Sequence, residues 1–119
     1  MVFKALVESK FHHIPHLEGA PPEVFFDDVF TSSDPTVPNP LTGSLFLLEF
    51  SRDPKPAPHY DFDETGVVLK GELHLEDEAG NKAQLHPGDT FFINRGSTIL
   101  FTTPRYAVAF KVASRTSHL

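Results

Sequence analysis

The chain has no cysteine among its 119 residues, which excludes disulfides and thiolate chemistry. That absence fits a reducing compartment. Tryptophan is also absent, so the core takes its aromatic bulk from twelve phenylalanines and has no indole donors. Basic residues are few: ten Lys and Arg against sixteen Asp and Glu give a net charge of −6. They form no cluster, and nucleic-acid affinity comes mainly from neutralising phosphates with such residues, so a nucleic-acid partner is not expected. No apolar run approaches the roughly 20 residues of a membrane-spanning helix. The opening stretch MVFKALVESKF has neither a long apolar segment nor a small-residue cleavage site, so no signal peptide is expected and the expected location is the cytoplasm. There is no phosphate-binding loop, no internal repeat and no heptad pattern.

What is present points to β-structure. A chain of this length makes one domain and buries roughly two thirds of its unfolded surface. Eleven prolines, most of them ahead of His59, would break helix interiors. Residues 1–11 alternate, with Phe3, Ala5 and Val7 on one face, which reads as a strand, although a helix is also possible. Residues 12–22 (HHIPHLEGAPP) read as a loop, 23–30 as a strand ending in polar residues, and 31–43 as a long connector. Residues 44–50 (SLFLLEF) are apolar on both faces, as in a strand covered on both sides. A turn at 51–58 precedes a strand starting at HYDF. Residues 66–76 form a long strand with Gly71 inside it, where a glycine marks a bulge, a bend or a close approach. A hairpin turn at 77–81 follows, then short strands at KAQLH, TFFIN, TILFTT and AVAFKVA. Short strands with a turn every 8–12 residues imply an all-β sandwich or barrel, in which double layering or closure protects the edges.

The order of these pieces resembles the cupin superfamily. Gly71-Glu72-Leu73, a hairpin, Pro87-Gly88-Asp89 and Phe91 through Gly96 follow one another as they do in cupin motifs. In the first motif, G-x5-H-x-H-x(3,4)-E-x6-G, the glutamate falls on Glu64, the last glycine on Gly71 and the second histidine on His59, while Ala57 takes the first histidine position. In the second motif Gly88 and Gly96 match, but Asn94, Ile99 and Thr103 replace the proline, the histidine and the asparagine. The runs FDETGVVLKGELHLED, HPGDTFFINRGSTILFTTP and YAVAFKV are similar to the ethanolamine-utilization protein Q (EutQ-like) type. The resemblance covers residues 39–113 and implies a single-domain jelly-roll β-barrel. Residues 1–38 would then be an N-terminal extension packed on the barrel, and 114–119 a tail. The kinase activity linked with EutQ-like proteins is not carried over, because this chain lacks a phosphate-binding loop and the long N-terminal extension of those proteins.

The stretch His59-Tyr60-Asp61-Phe62-Asp63-Glu64 holds the candidate chemistry. On a strand, Ala57, His59 and Asp61 share a face, and the resemblance turns that face and Glu64 into the barrel. One imidazole and two carboxylates in a small cavity suit acid/base catalysis, since close carboxylates push one proton affinity up. His59 and Glu64 would be the acid/base pair and Asp61 would orient them, with Asp63 at the surface. The same trio, joined by His12, His13, His16 or Glu49, could ligate a divalent transition metal, although no cofactor is expected because Ala57 and Ile99 remove half of the family's ligand set. Glu49, Tyr106, Ile99, Phe101, Leu69 and Phe92 are candidate cavity or substrate-binding residues. His74 and His86 read as surface residues, Arg105 as a turn residue and His118 as part of the tail. The expected function is a small-molecule lyase or isomerase. The alternatives are a metal-dependent oxygenase or decarboxylase, and a non-enzymatic small-molecule-binding protein. The two-faced apolar strand 44–50 implies a homodimer.

Overall fold

The computed structural model describes residues 3–34 and 36–116. After a short 3₁₀ helix, Glu8–His13, come eight strands: β1 Val24–Thr31, β2 Thr42–Glu49, β3 Glu64–Gly71, β4 Leu73–Glu76, β5 Lys82–Leu85, β6 Thr90–Ile93, β7 Leu100–Thr102 and β8 Tyr106–Ala113. They form a five-stranded sheet, β1-β2-β8-β3-β6, and a three-stranded sheet, β5-β4-β7, with every pair antiparallel. The main core lies between the sheets, where Phe46, Leu48, Val68, Ala107 and Ala109 meet Leu73, Phe101, Leu75 and Leu85. This is the expected all-β double-layered architecture.

Gly71 makes the crossing between layers. Its φ is +75°, and a Cβ there would stand 2.1 Å from the Tyr106 carbonyl oxygen. Only glycine takes that conformation without cost and lets the backbone approach so closely. The long strand expected over 66–76 is therefore two strands, β3 in one sheet and β4 in the other.

Two other expectations are corrected. Among the described residues the strand expected over 1–11 is absent: residues 3–7 have no regular structure, the helix follows, and residues 1–2 lie outside the described residues. HYDF does not begin a strand, because residues 54–60 run irregularly and the chain bends at 61–62 before β3 starts at Glu64. Instead, Ala57 N–H donates to Ile99 O, Tyr60 N–H to Ser97 O and Gly96 N–H to Tyr60 O, which ties this segment to residues 96–99.

The five-stranded sheet has two distinct faces. Strand β8 puts Ala107, Ala109, Lys111 and Ala113 on the inner side. Val108 and Phe110 lie outside, in a second cluster with Leu45, Leu47, Leu69, Phe25 and, from the N-terminal segment, Phe11 and Ile14. Cross-strand register divides the inner side into rows. Phe26, Phe46, Ala109 and Val68 stand side by side, as do Asp28, Ser44, Lys111 and Gly66, and Thr42, Ala113, Glu64 and Ile93. One end of the interior is thus apolar and the other carries charge.

Candidate active site

The charged end is built around Glu64 and Lys111, each only 3 % exposed. They sit on neighbouring strands at diagonal positions, Glu64 opposite Ala113 and Lys111 opposite Gly66, a separation that long side chains bridge. Lys111 Nζ lies 3.3 Å from Glu64 Oε1. The same oxygen accepts a hydrogen bond from the Tyr60 hydroxyl at 2.9 Å. The ammonium also lies 3.9 Å from the centroid of the Phe46 ring, 4.2 Å from that of Phe101 and 5.9 Å from that of Phe26. Ring faces stabilise a cation well when water is excluded. The alanines at 107, 109 and 113 leave room on that face for the lysine and the rings.

Beside this trio, Arg115 and Asp28 form a bidentate pair, with Nη1 to Oδ2 at 3.0 Å and Nη2 to Oδ1 at 2.8 Å. Ser44 Oγ donates to Asp28 Oδ1 at 2.6 Å. Thr42 Oγ1 donates to the Arg115 carbonyl at 2.7 Å, which holds the residues just after β8 on the fold. The Arg115 guanidinium lies 5.3 Å from the Phe62 ring, which stacks edge-on against Tyr60 at 5.4 Å.

Burial sets the electrostatics. It pushes the Lys111 ammonium below the ordinary lysine range, and the Glu64 carboxylate opposes that shift. Burial first, and then the Glu64 charge, push the Tyr60 phenol far above its usual range. At neutral pH the phenol therefore keeps its proton and remains a donor. Ammonium, carboxylate and phenol within hydrogen-bonding reach, in a medium of low polarity, can take up, hold and return a proton and can stabilise an oxyanion.

The candidates named from sequence fall in different places. Glu64 is inside, as expected, and Ile99 and Phe101 are core, with Phe101 against the lysine. His59 and Asp61 do not join it: both are exposed, because the irregular segment turns Tyr60 inward and its neighbours outward. Asp63 is exposed and its Oδ1 accepts from Arg95 N–H at 2.8 Å. Glu49 and Tyr106 line a groove on the outer face of the large sheet, as does His12. Leu69 belongs to the outer apolar cluster, and Phe92 is 60 % exposed. His13 and His16 are exposed, and His16 Nε2 lies 3.0 Å from Pro21 O. His74 and His86 share the Glu72 carboxylate, with His86 Nε2 at 3.1 Å; the bond to His74 is the main cause that lowers the Glu72 proton affinity. Arg105 is an exposed turn residue, and His118 lies outside the described residues.

The sequence reading missed Tyr60, Lys111, Asp28 and Arg115. A signal for Lys111 existed: in YAVAFKVA the small residues 107, 109 and 113 alternate with Val108, Phe110 and Val112, and the lysine falls in the small-residue set.

The antiparallel double layer, with Glu64 buried at the start of β3, accords with the cupin resemblance. Residues 55–113 match the EutQ-like cupin domain family, and the chain belongs to that family of cupins. Among solved structures, it is similar to the EutQ protein of Salmonella typhimurium, with 28% identity over 87% of this chain and 80% of that one and a TM-score of 0.70. It is also similar to the EutQ protein of Clostridium difficile, with 24% identity over 96% and 76% and a TM-score of 0.70. An Fe(II)-HppE structure with an alternative substrate is 21% identical over 85% of this chain and 56% of that one, with a TM-score of 0.66. The last two likenesses speak for the fold alone. No curated protein matches the chain.

A transition metal in the interior would need several N or O donors gathered around one point. Among the described residues no group of three or more His, Asp or Glu is placed to hold an ion. Of the His59, Asp61 and Glu64 trio only Glu64 faces inward, and an ammonium already stands 3.3 Å from its carboxylate. A metal cation there would meet like charge and aromatic faces in place of donors. The described residues around Glu64 do not fit a metal.

Proposed function

We propose that this cupin is a small-molecule lyase or isomerase that works by acid/base chemistry inside the barrel, without a resident metal. The reading rests on one observation: an ammonium and a phenol converge on a single buried carboxylate oxygen. Glu64 would take a proton from a carbon next to a substrate carbonyl, Lys111 would stabilise the negative charge that develops on the carbonyl oxygen, and Tyr60 would return a proton. Dehydration, isomerisation and cyclisation of small carbonyl compounds use these steps, and decarboxylation, in which loss of CO2 takes the place of proton removal, uses the last two. Substrate would enter where the segment 51–63 carries Tyr60 and Phe62 across the charged end.

The test is exchange of carbon-bound hydrogen for solvent deuterium, followed by proton NMR across a panel of small oxo acids, hydroxy acids and sugar acids. The expected result is enzyme-dependent exchange in at least one compound, reduced about 10²–10⁴-fold by Glu64→Gln and unchanged by His74→Ala. Full exchange in a folded Glu64→Gln protein would end the proposal.

The near-complete burial of the trio favours a second reading, in which the charges only specify the packing of a non-enzymatic cupin. Absence of exchange with every compound, together with wild-type folding of Glu64→Gln/Lys111→Met, would favour that reading.

A further inference from the structure

Lys111 is the lysine that the fold takes out of water. Its side chain is 4 % exposed, against 66 % for Lys55 and 37 % for Lys70. Lys4, Lys10 and Lys82 are exposed or half-buried. A buried lysine that only fills space needs one counter-charge. Here the counter-charge also holds a phenol: Glu64 Oε1 lies 3.3 Å from Lys111 Nζ and 2.9 Å from the Tyr60 hydroxyl.

A lysine amine condenses with an aldehyde or ketone when three conditions meet. The ammonium has to give up a proton, because only the lone pair attacks carbon. Burial among the rings of Phe46 and Phe101 weakens its hold on that proton, and Glu64 stands within reach to take it. The carbonyl oxygen has to receive protons and leave as water. The Tyr60 phenol keeps its proton at neutral pH and stands on the same carboxylate. Bulk water has to be kept away, because it returns the product to amine and carbonyl. Lys111, Glu64 and Tyr60 are 3 %, 3 % and 8 % exposed, and the flanking rings are apolar walls.

We infer that Lys111 is a nucleophile that condenses with a small aldehyde or ketone and carries it as an iminium ion. The inference rests on the reading above that a carbonyl compound reaches Glu64 and Lys111, and it adds a covalent bond to that reading. Lys111 Nζ passes a proton to Glu64, and its lone pair forms a bond to the carbonyl carbon. The C=O π pair moves to oxygen, which takes the Tyr60 proton. The nitrogen, now bearing two hydrogens and a positive charge, returns a proton to Tyr60 and leaves a neutral carbinolamine. Glu64 then protonates the hydroxyl, the C–O bond breaks, water departs, and the nitrogen lone pair closes C=N. Ammonium plus carbonyl have become iminium plus water; the charge is conserved and nothing is oxidised or reduced. The positive charge stays beside Glu64, so the ion pair survives the reaction. Glu64, ionised again, removes a proton from the carbon next to C=N, and the electrons flow to a cationic nitrogen in place of a carbonyl oxygen.

The experiment is reductive trapping at neutral pH. Protein is incubated with butanal, dihydroxyacetone or pyruvate in the presence of cyanoborohydride, which reduces an iminium ion to a stable amine. Peptide mass spectrometry locates the adducts, circular dichroism verifies the fold, and exposed Lys55 is the internal reference. With at least one probe, Lys111 is expected to be alkylated at least about tenfold faster than Lys55. In Tyr60→Phe, which keeps the ring beside Glu64, the Lys111 rate should fall at least about tenfold while the Lys55 rate is unchanged. A Lys111 rate no faster than that of Lys55 with all three probes would overturn the inference. Trapping indifferent to Tyr60→Phe would mark simple labelling of an amine and would overturn it too. Should Tyr60→Phe not fold, the wild-type comparison decides by itself. Deuterium exchange without trapping at Lys111 would end this inference and leave the acid/base proposal standing, and trapping without exchange would do the reverse.

Discussion

Replacing Lys111 by methionine isolates the energetics of the barrel interior. Methionine fills most of the lysine's volume among Phe46, Phe101 and Phe26, so packing changes little. What is lost is the cation 3.3 Å from Glu64 Oε1. The glutamate keeps the Tyr60 hydroxyl as its remaining partner on that oxygen. Breaking a buried pair by removing one partner costs about 3–5 kcal/mol, so Lys111→Met is expected to lose about that much at pH 7, a fall in melting temperature on the order of 10–20 °C. Glu64→Gln/Lys111→Met leaves no buried charge in the pair and keeps an acceptor for Tyr60, so it should recover nearly all of the loss. Urea denaturation at pH 7 provides the measurement. A Lys111→Met loss below about 1 kcal/mol at pH 7, or a double variant no more stable than the single one, would refute the account of the pair as a mutually dependent buried unit.

The remaining expectations concern titration, the layer crossing, the second ion pair and metal. Tyr60 ionises only in the unfolded chain near pH 10, because burial and Glu64 raise it in the folded state, so stability falls as pH climbs past about 10; Tyr60→Phe should flatten that alkaline fall in denaturation curves. Lys111 contributes in the opposite sense: its lowered affinity for a proton means that stability rises with pH towards the ordinary lysine value of about 10.4, and Lys111→Met should remove that rise. Gly71→Ala places a Cβ 2.1 Å from Tyr106 O at a positive φ, so it should cost more than the about 1–2 kcal/mol of the backbone conformation alone, measured by thermal melting. Asp28→Ala leaves the Arg115 guanidinium, 9 % exposed, without its bidentate partner, and a loss of about 3–5 kcal/mol is expected in urea. Protein passed through a sizing column with a chelator should carry far less than one equivalent of Fe, Mn, Ni or Zn by elemental analysis, and a full equivalent would reopen the metal-dependent alternative.

Much of the architecture was legible in the chain itself. Period-two alternation and turn residues are local properties, so strands near β1, β2 and β5–β8 followed from them, as did the special role of Gly71, which only a residue without a Cβ can fill at a layer crossing. Glu64 was legible through its spacing to Gly71. The irregular run at 54–60 was not, because it is held by bonds to residues 96–99, distant in sequence. A half-turn of difference in that segment exchanged His59 for Tyr60 at the interior.

Tertiary structure alone decided which charges are inside. A lysine on a strand faces water unless something distant compensates its burial, and Lys111 is inward because cross-strand register brings Glu64 to it and the two sheets close Phe46 and Phe101 over it. Asp28 and Arg115 are coupled in the same way, from the edge strand and the residues after β8. The alternation of side chains establishes that a strand has two faces. Which face takes a charged residue depends on the long-range partners that meet its desolvation cost.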